Sequence, residues 1–170
     1  MTKELTLFTD FISPYAWLAM ARLDRMEDRP TTVIKPILFA GLLNHWEHKG
    51  PAEIPAKKTF TFQYVKWAAM RDGIDLNMPP NHPFNPLRAL RLAIALGASH
   101  DVTMKIFRCI WVDGQLPDNE TGWTAMKAAL DCPDADERIA APDVKAALRN
   151  NGEEAINQGV FGVPTFCVDD

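Results

Sequence analysis

The chain has 170 residues, 47% of them apolar and 24% charged, with a formal net charge of −4 at pH 7. That is enough apolar sequence for one domain with its own core, or one domain carrying a sizeable insertion. Eighteen Lys and Arg scattered among 22 Asp and Glu give no basic field for nucleic acid, and no apolar run approaches the ~20 residues of a membrane span.

The first element is a run of alternating β formers, Leu5-Thr6-Leu7-Phe8-Thr9. A Ser-Pro pair follows, and then Tyr15, Leu18, Ala19, Arg22, Leu23 and Met26 recur at helical spacing. Ser13 sits where an N-cap belongs, and Pro14 falls at the first helical position, where its missing N–H removes a donor the helix would leave unpaired anyway. A hydroxyl is thereby held beside free backbone N–H groups at the positive end of a helix dipole, a place that binds anions. Taken alone, Ser13-Pro14 is an ordinary helix start.

Arg29-Pro30 breaks the pattern, and residues 31–38 read as a second strand, parallel to the first through a right-handed crossover. The next hundred residues carry no strand signal. Helices are predicted over 42–49, over 56–71 with Asp72-Gly73 as the stop, over 86–96 ended by Gly97, and over 101–111 with Ser99 as cap. A proline-rich loop fills 78–84, and Thr121 is read as the cap of a helix reaching Leu130. Helix resumes over 142–158, Gly159 stops it, and Gly162-Val163-Pro164-Thr165 opens a third strand, with proline at a strand's first residue.

Three cysteines, Cys109, Cys132 and Cys167, lie far apart without metal-type spacing, and their odd number argues against a disulfide scaffold. A His45/His48 pair at i, i+3 has no further ligands nearby, so no metal is expected. The start, Met1-Thr2-Lys3-Glu4-Leu5, enters strand pattern without the apolar stretch of a signal peptide, so a cytoplasmic protein is expected.

Ser13-Pro14-Tyr15-Ala16 and Val163-Pro164 together resemble the thioredoxin-like superfamily, including its DsbA-like branch, in which a Cys-x-x-Cys motif caps the first long helix and a cis-proline packs against it. Without sulfur at positions 13 and 16, dithiol exchange is excluded, because it needs a thiolate nucleophile and a resolving thiol. The sequence is more closely similar to the 2-hydroxychromene-2-carboxylate isomerases and the class kappa glutathione transferases, which share Asp-Phe-x-Ser-Pro-Tyr, here Asp10 to Tyr15. Further matches are Gly50 to Lys57, Pro83-Phe84-Asn85 leading to Ala89-Leu90-Arg91, Ile110 to Gly114, and Gly159 to Phe166.

The resemblance implies an α/β fold: a thioredoxin-like sheet from residues 1–38 and 134–170, with a large all-helical insertion at 39–133. It also implies a C-terminal hairpin strand and helix beyond the third strand, both missing from a sequence that ends at Asp170. Glutathione is the implied cofactor, a small aromatic molecule the substrate, and a homodimer the assembly. Ser13 is the implied catalytic group, stabilising the glutathione thiolate. Val163, before a cis Pro164 that leaves its N–H and C=O free, pairs with the glutathione backbone, while Pro14, Tyr15, His48 and Lys57 complete the cofactor site. His48 stands where many relatives carry asparagine, and Lys57 is assigned to a carboxylate.

Phe11 and Trp111 are expected to face the aromatic substrate, while Tyr15, Trp17, Trp67 and Trp123 are more simply core. Arg88 and Arg91 share a helix face and are read as solvated. No histidine stands in a triad context near Ser13, which disfavours a serine hydrolase. The leading expectation is an isomerase using thiolate addition, ring opening and elimination. A kappa-like transferase and a non-catalytic thioredoxin-like module are the alternatives, with a disulfide oxidoreductase poorly served by these residues.

Overall fold

The computed structural model describes residues 5–168, so the expectation drawn from residues 1–4 lies outside it. A three-stranded sheet has the order β2-β1-β3. Strand β1 (Leu5–Thr9) pairs in parallel with β2 (Thr32–Pro36), Leu7 opposite Ile34, and antiparallel with β3 (Thr165–Val168), Leu7 opposite Phe166. Between β1 and β2 runs α1 (Pro14–Asp24), capped by Ser13 with Pro14 in its first turn, as its sequence dictates.

After β2 come α2 (Phe39–His45), a 3₁₀ turn at Pro51–Glu53, α3 (Pro55–Asp72), α4 (Leu87–Ala95), α5 (His100–Trp111), α6 (Glu120–Ala129), α7 (Ala135–Ala140) and α8 (Pro142–Asn157). Helix α3 ends at Gly73, whose φ of 62° lets the Ile74 N–H close back on the Ala69 carbonyl. Three elements differ from expectation. Helix α2 starts at Phe39 rather than Leu42, α6 is capped by Asn119 rather than Thr121, and the six-residue α7 was not foreseen.

Alternate residues of β1 separate two clusters, as strand geometry requires. Leu7 joins the large core with Phe11, Trp17, Leu90, Phe107 and Trp111, which runs without interruption from the sheet into the helical segment. Phe8 belongs to a smaller cluster with Ile37, Leu42, Ala155 and Val160 on the other face. Helix α8 closes that face, its Glu154 paired with Lys35 at 2.5 Å and Asn151 donating to the Pro36 carbonyl. The chain therefore leaves β1 at Asp10 between two packed layers, with the turn of residues 10–13 at their junction.

Candidate active site

A cavity of about 480 Å³ opens where α1 begins. Its floor is the turn Asp10, Ile12, Ser13, Pro14 and Tyr15, and its walls come from the start of α2, the 3₁₀ turn, α3, the 82–87 loop, and Val163. Most of these side chains are apolar, and the charged or titratable exceptions are Asp10, Tyr15, Glu53, Lys58 and His82. An enclosure of this composition, with few polar groups at set places, suits a small, partly apolar ligand.

Ser13 is 7% exposed. Its Oγ accepts the Ala16 N–H at 3.2 Å, and its hydroxyl donates to the Val163 carbonyl at 3.2 Å. The cap and the distant strand thus meet on one hydroxyl. The Val163–Pro164 bond is cis, as is His82–Pro83. Among the described residues the Tyr15 N–H and the Val163 N–H find no acceptor, the first because a helix start leaves donors unpaired. One expectation is thereby corrected. The Val163 carbonyl is not free, because Ser13 already donates to it.

Ser13, Pro14, Tyr15 and Val163 line one cavity, with Pro164 immediately beside it. Phe11 and Trp111 do not. Both are 0% exposed, and the Trp111 indole N–H donates to the Phe11 carbonyl at 2.9 Å inside the core. Their placement against a substrate is corrected by this burial, which is how an indole with an internal acceptor is best satisfied. His48 is exposed, with its ring against the Lys49 carbonyl, and Lys57 is exposed on the outer side of α3. Neither lines the cavity. The neighbouring Lys58 does, donating to the His82 carbonyl at 2.9 Å.

Two further titratable residues of the wall, Asp10 and His82, were not singled out from sequence. Asp10, fully buried, accepts the Ile12 N–H at 3.1 Å and the Phe39 N–H at 2.8 Å. Burial pushes its carboxyl up to about 7 against the pull of those backbone N–H groups. His82 donates from Nε2 to the Ile12 carbonyl at 2.9 Å, which fixes the proton on Nε2 and leaves Nδ1 buried without a partner. Desolvation holds its pKa below the usual imidazole value, so the ring is neutral at pH 7. Phe62 and Phe84 pack edge-on against that ring. The only signal available in sequence was the position of Asp10 in the shared motif and of His82 in the proline-rich loop.

Outside the cavity, Trp67 is 51% exposed and carries Arg71 against its ring at 4.9 Å, so it is not a core residue. Arg88 pairs with Glu120 at 2.9 Å and lies over Trp123. Among the described residues, no group of three or more His, Cys, Asp or Glu is placed to hold a metal ion, and no helix is long and apolar enough to cross a membrane.

A sheet of this order, a serine-capped first helix and a cis-proline loop facing the cap define a thioredoxin-like site without its thiols. The chain belongs to the DSBA-like thioredoxin domain family, whose model matches residues 4–170. It is 28% identical over 184 residues to glutathione S-transferase kappa 2 of Caenorhabditis elegans, covering 99% of this chain and 82% of that protein. It is 27% identical over 178 residues to 2-hydroxychromene-2-carboxylate isomerase of Sphingobium xenophagum, covering 100% of this chain and 91% of that one. A solved 2-hydroxychromene-2-carboxylate isomerase structure superposes with a TM-score of 0.84 at 21% identity, over 98% of this chain and 86% of its own, which shows the shared fold.

Proposed function

We propose that the chain is a glutathione-dependent enzyme acting on a small electrophile, and more specifically an isomerase of 2-hydroxychromene-2-carboxylate or a related intermediate of aromatic breakdown. One observation carries the reading: Ser13, with its hydroxyl, and Tyr15 and Val163, each with an N–H lacking an acceptor, line one largely apolar cavity that contains no cysteine. Its relatives named for glutathione transfer and for chromene-carboxylate isomerisation support the same chemistry.

These residues fit glutathione. The Val163 N–H offers a donor to a peptide backbone, its carbonyl joining once the Ser13 hydroxyl turns away, and Lys58 supplies a cation for a carboxylate across the cavity. When bound, glutathione supplies a thiol whose anion adds reversibly to a conjugated double bond and so permits ring opening and rotation before it is eliminated unchanged. Ser13 holds the sulfur in its ionised form by turning its hydroxyl from the Val163 carbonyl, aided by the helix start and the Tyr15 N–H. The apolar walls exclude water and strengthen each of these contacts.

The test is titration of the protein with glutathione, following the ultraviolet absorbance of bound thiolate, with Ser13→Ala as control. Equal signals from both proteins reduce the serine to a helix cap. Kappa-type transfer is the second reading, favoured by the similarity to kappa transferases, and it uses the same sulfur. Product analysis separates the two, because an isomerase returns glutathione and a transferase consumes it mole for mole.

A further inference from the structure

Asp10 is the one fully buried carboxylate in the cavity, and it faces no cation. Its two oxygens serve two different walls. Oδ1 accepts from Ile12, in the turn that carries Ser13, and Oδ2 accepts from Phe39, the first residue of α2, whose Phe39, Ala40 and Leu43 form the facing wall. The Asp10 carbonyl also takes the Ser13 N–H at 3.1 Å. Helix α2 has no cap of its own at Leu38, so this carboxylate anchors its first turn from 29 residues away.

Two N–H donors on two separate oxygens favour the ionised group, both of whose oxygens accept strongly. An amide has one acceptor oxygen, and in a protonated acid the hydroxyl oxygen is the weaker acceptor, so one of the two bonds weakens. Burial without a cation pulls the other way, toward the neutral acid. The remaining charged or titratable groups on the walls are committed elsewhere or do not bond to it. The Glu53 carboxylate takes the Gly50 N–H, Lys58 bonds to the His82 carbonyl, His82 to the Ile12 carbonyl, and Tyr15 packs on Tyr64. Lys35 of β2 is held by Glu154.

We propose that Asp10 is the positioning residue of this site: its carboxylate ties the Ser13 turn to the α2 wall, and taking up a proton releases one of the two. The spacing of Ser13 from the facing wall then depends on whether Asp10 is ionised. The device rests on the reading above only for the identity of the ligand it positions. An ionised Asp10 sits three residues from the group that is to hold a second anion, so ligand ionisation and latch closure oppose each other.

The experiment is a pH titration of the isotope-labelled full chain by NMR without glutathione, following the Ile12 and Phe39 amides and the Asp10 carboxyl carbon. All three are expected to move with one midpoint near the value of about 7 set by burial, and both amides to lose that midpoint in Asp10→Asn. The proposal is overturned if only one amide titrates, if neither does, or if both titrate unchanged in the variant. If the variant does not fold, the shared midpoint of carboxyl and amides in the natural chain decides alone. With glutathione added, Asp10→Asn is expected to bind about tenfold more weakly, the loss of one buried hydrogen bond. A natural chain that binds no glutathione at any pH removes the functional reading and leaves the amide titration to judge the latch.

Discussion

Replacing Ser13 by alanine removes one atom with two duties, and the two losses are separable. As N-cap, Oγ accepts the Ala16 N–H, and cap deletion costs about 1 kcal/mol. Its bond to Val163 adds about another 1 kcal/mol, so the folded state should lose about 2 kcal/mol, seen as a lower urea midpoint with an unchanged slope. The effect on a bound thiol is calculated differently. A hydroxyl donating to a thiolate contributes about 1.5–3 kcal/mol, but turning it from the Val163 carbonyl forfeits about 1 kcal/mol. The net, about 0.5–2 kcal/mol, corresponds to a rise in the thiol pKa of about 0.4–1.5 on substitution. Thiolate absorbance against pH, with glutathione saturating, measures that rise, and Ser13→Thr, which keeps the hydroxyl, should restore most of it. A stability loss of the stated size with no movement of the thiol pKa would refute the activating role and leave only the cap.

Asp10→Asn should also change how stability depends on pH. The folded carboxyl titrates near 7 and the unfolded one near 3.8, so over that window the folded chain keeps a proton the unfolded chain has lost, and stability falls as pH rises. The span is worth up to about 4 kcal/mol, and urea unfolding at pH 5 and 7.5 should show this slope in the natural chain and not in the variant. Asp72, held down at about 2 by Arg71 and Arg22, titrates below this window, and His82, whose pKa burial lowers, adds an opposite slope to both proteins that cancels in their comparison. Lys58→Met should weaken glutathione about tenfold, the loss of one exposed-to-half-buried charge contact, while Lys57→Met leaves it unchanged by calorimetry. Trp111→Phe leaves the buried Phe11 carbonyl without its donor and should cost about 1–3 kcal/mol by urea unfolding, with substrate preference intact. Gly122→Ala would drive a Cβ into the Leu116 backbone and should prevent α6 from seating, read as loss of cooperative unfolding.

What was legible in the sequence is what local chemistry determines. Ser13 and Pro14 set the start of α1, Ser99 caps α5 by accepting the Val102 N–H, and Gly73 and Gly159 stop their helices, because each signal acts within a turn of its own position. The start of α2 was misplaced because its anchor is Asp10, a residue on another element. Asn119 and Thr121 are both good caps two residues apart, and only the bond from the Gly122 N–H to Asn119 chooses between them. Lys57 and Lys58 differ by a 100° turn of helix, a phase that motif spacing does not fix. Phe11 and Trp111 were drawn to the substrate by their neighbours in sequence, whereas a contact across 100 residues sends them inward.

The backbone of the serine turn is held from outside the sheet. The Phe11 carbonyl receives its proton from Trp111 at the end of α5, and the Ile12 carbonyl from His82 in the loop before α4. A pared-down version that joined β2 straight to α8 would retain every residue of the turn and still leave the buried Phe11 carbonyl and the half-buried Ile12 carbonyl without their donors. The Ser13 turn thus owes its shape to the helical segment, and the two parts of the molecule must be inherited, swapped or redesigned together.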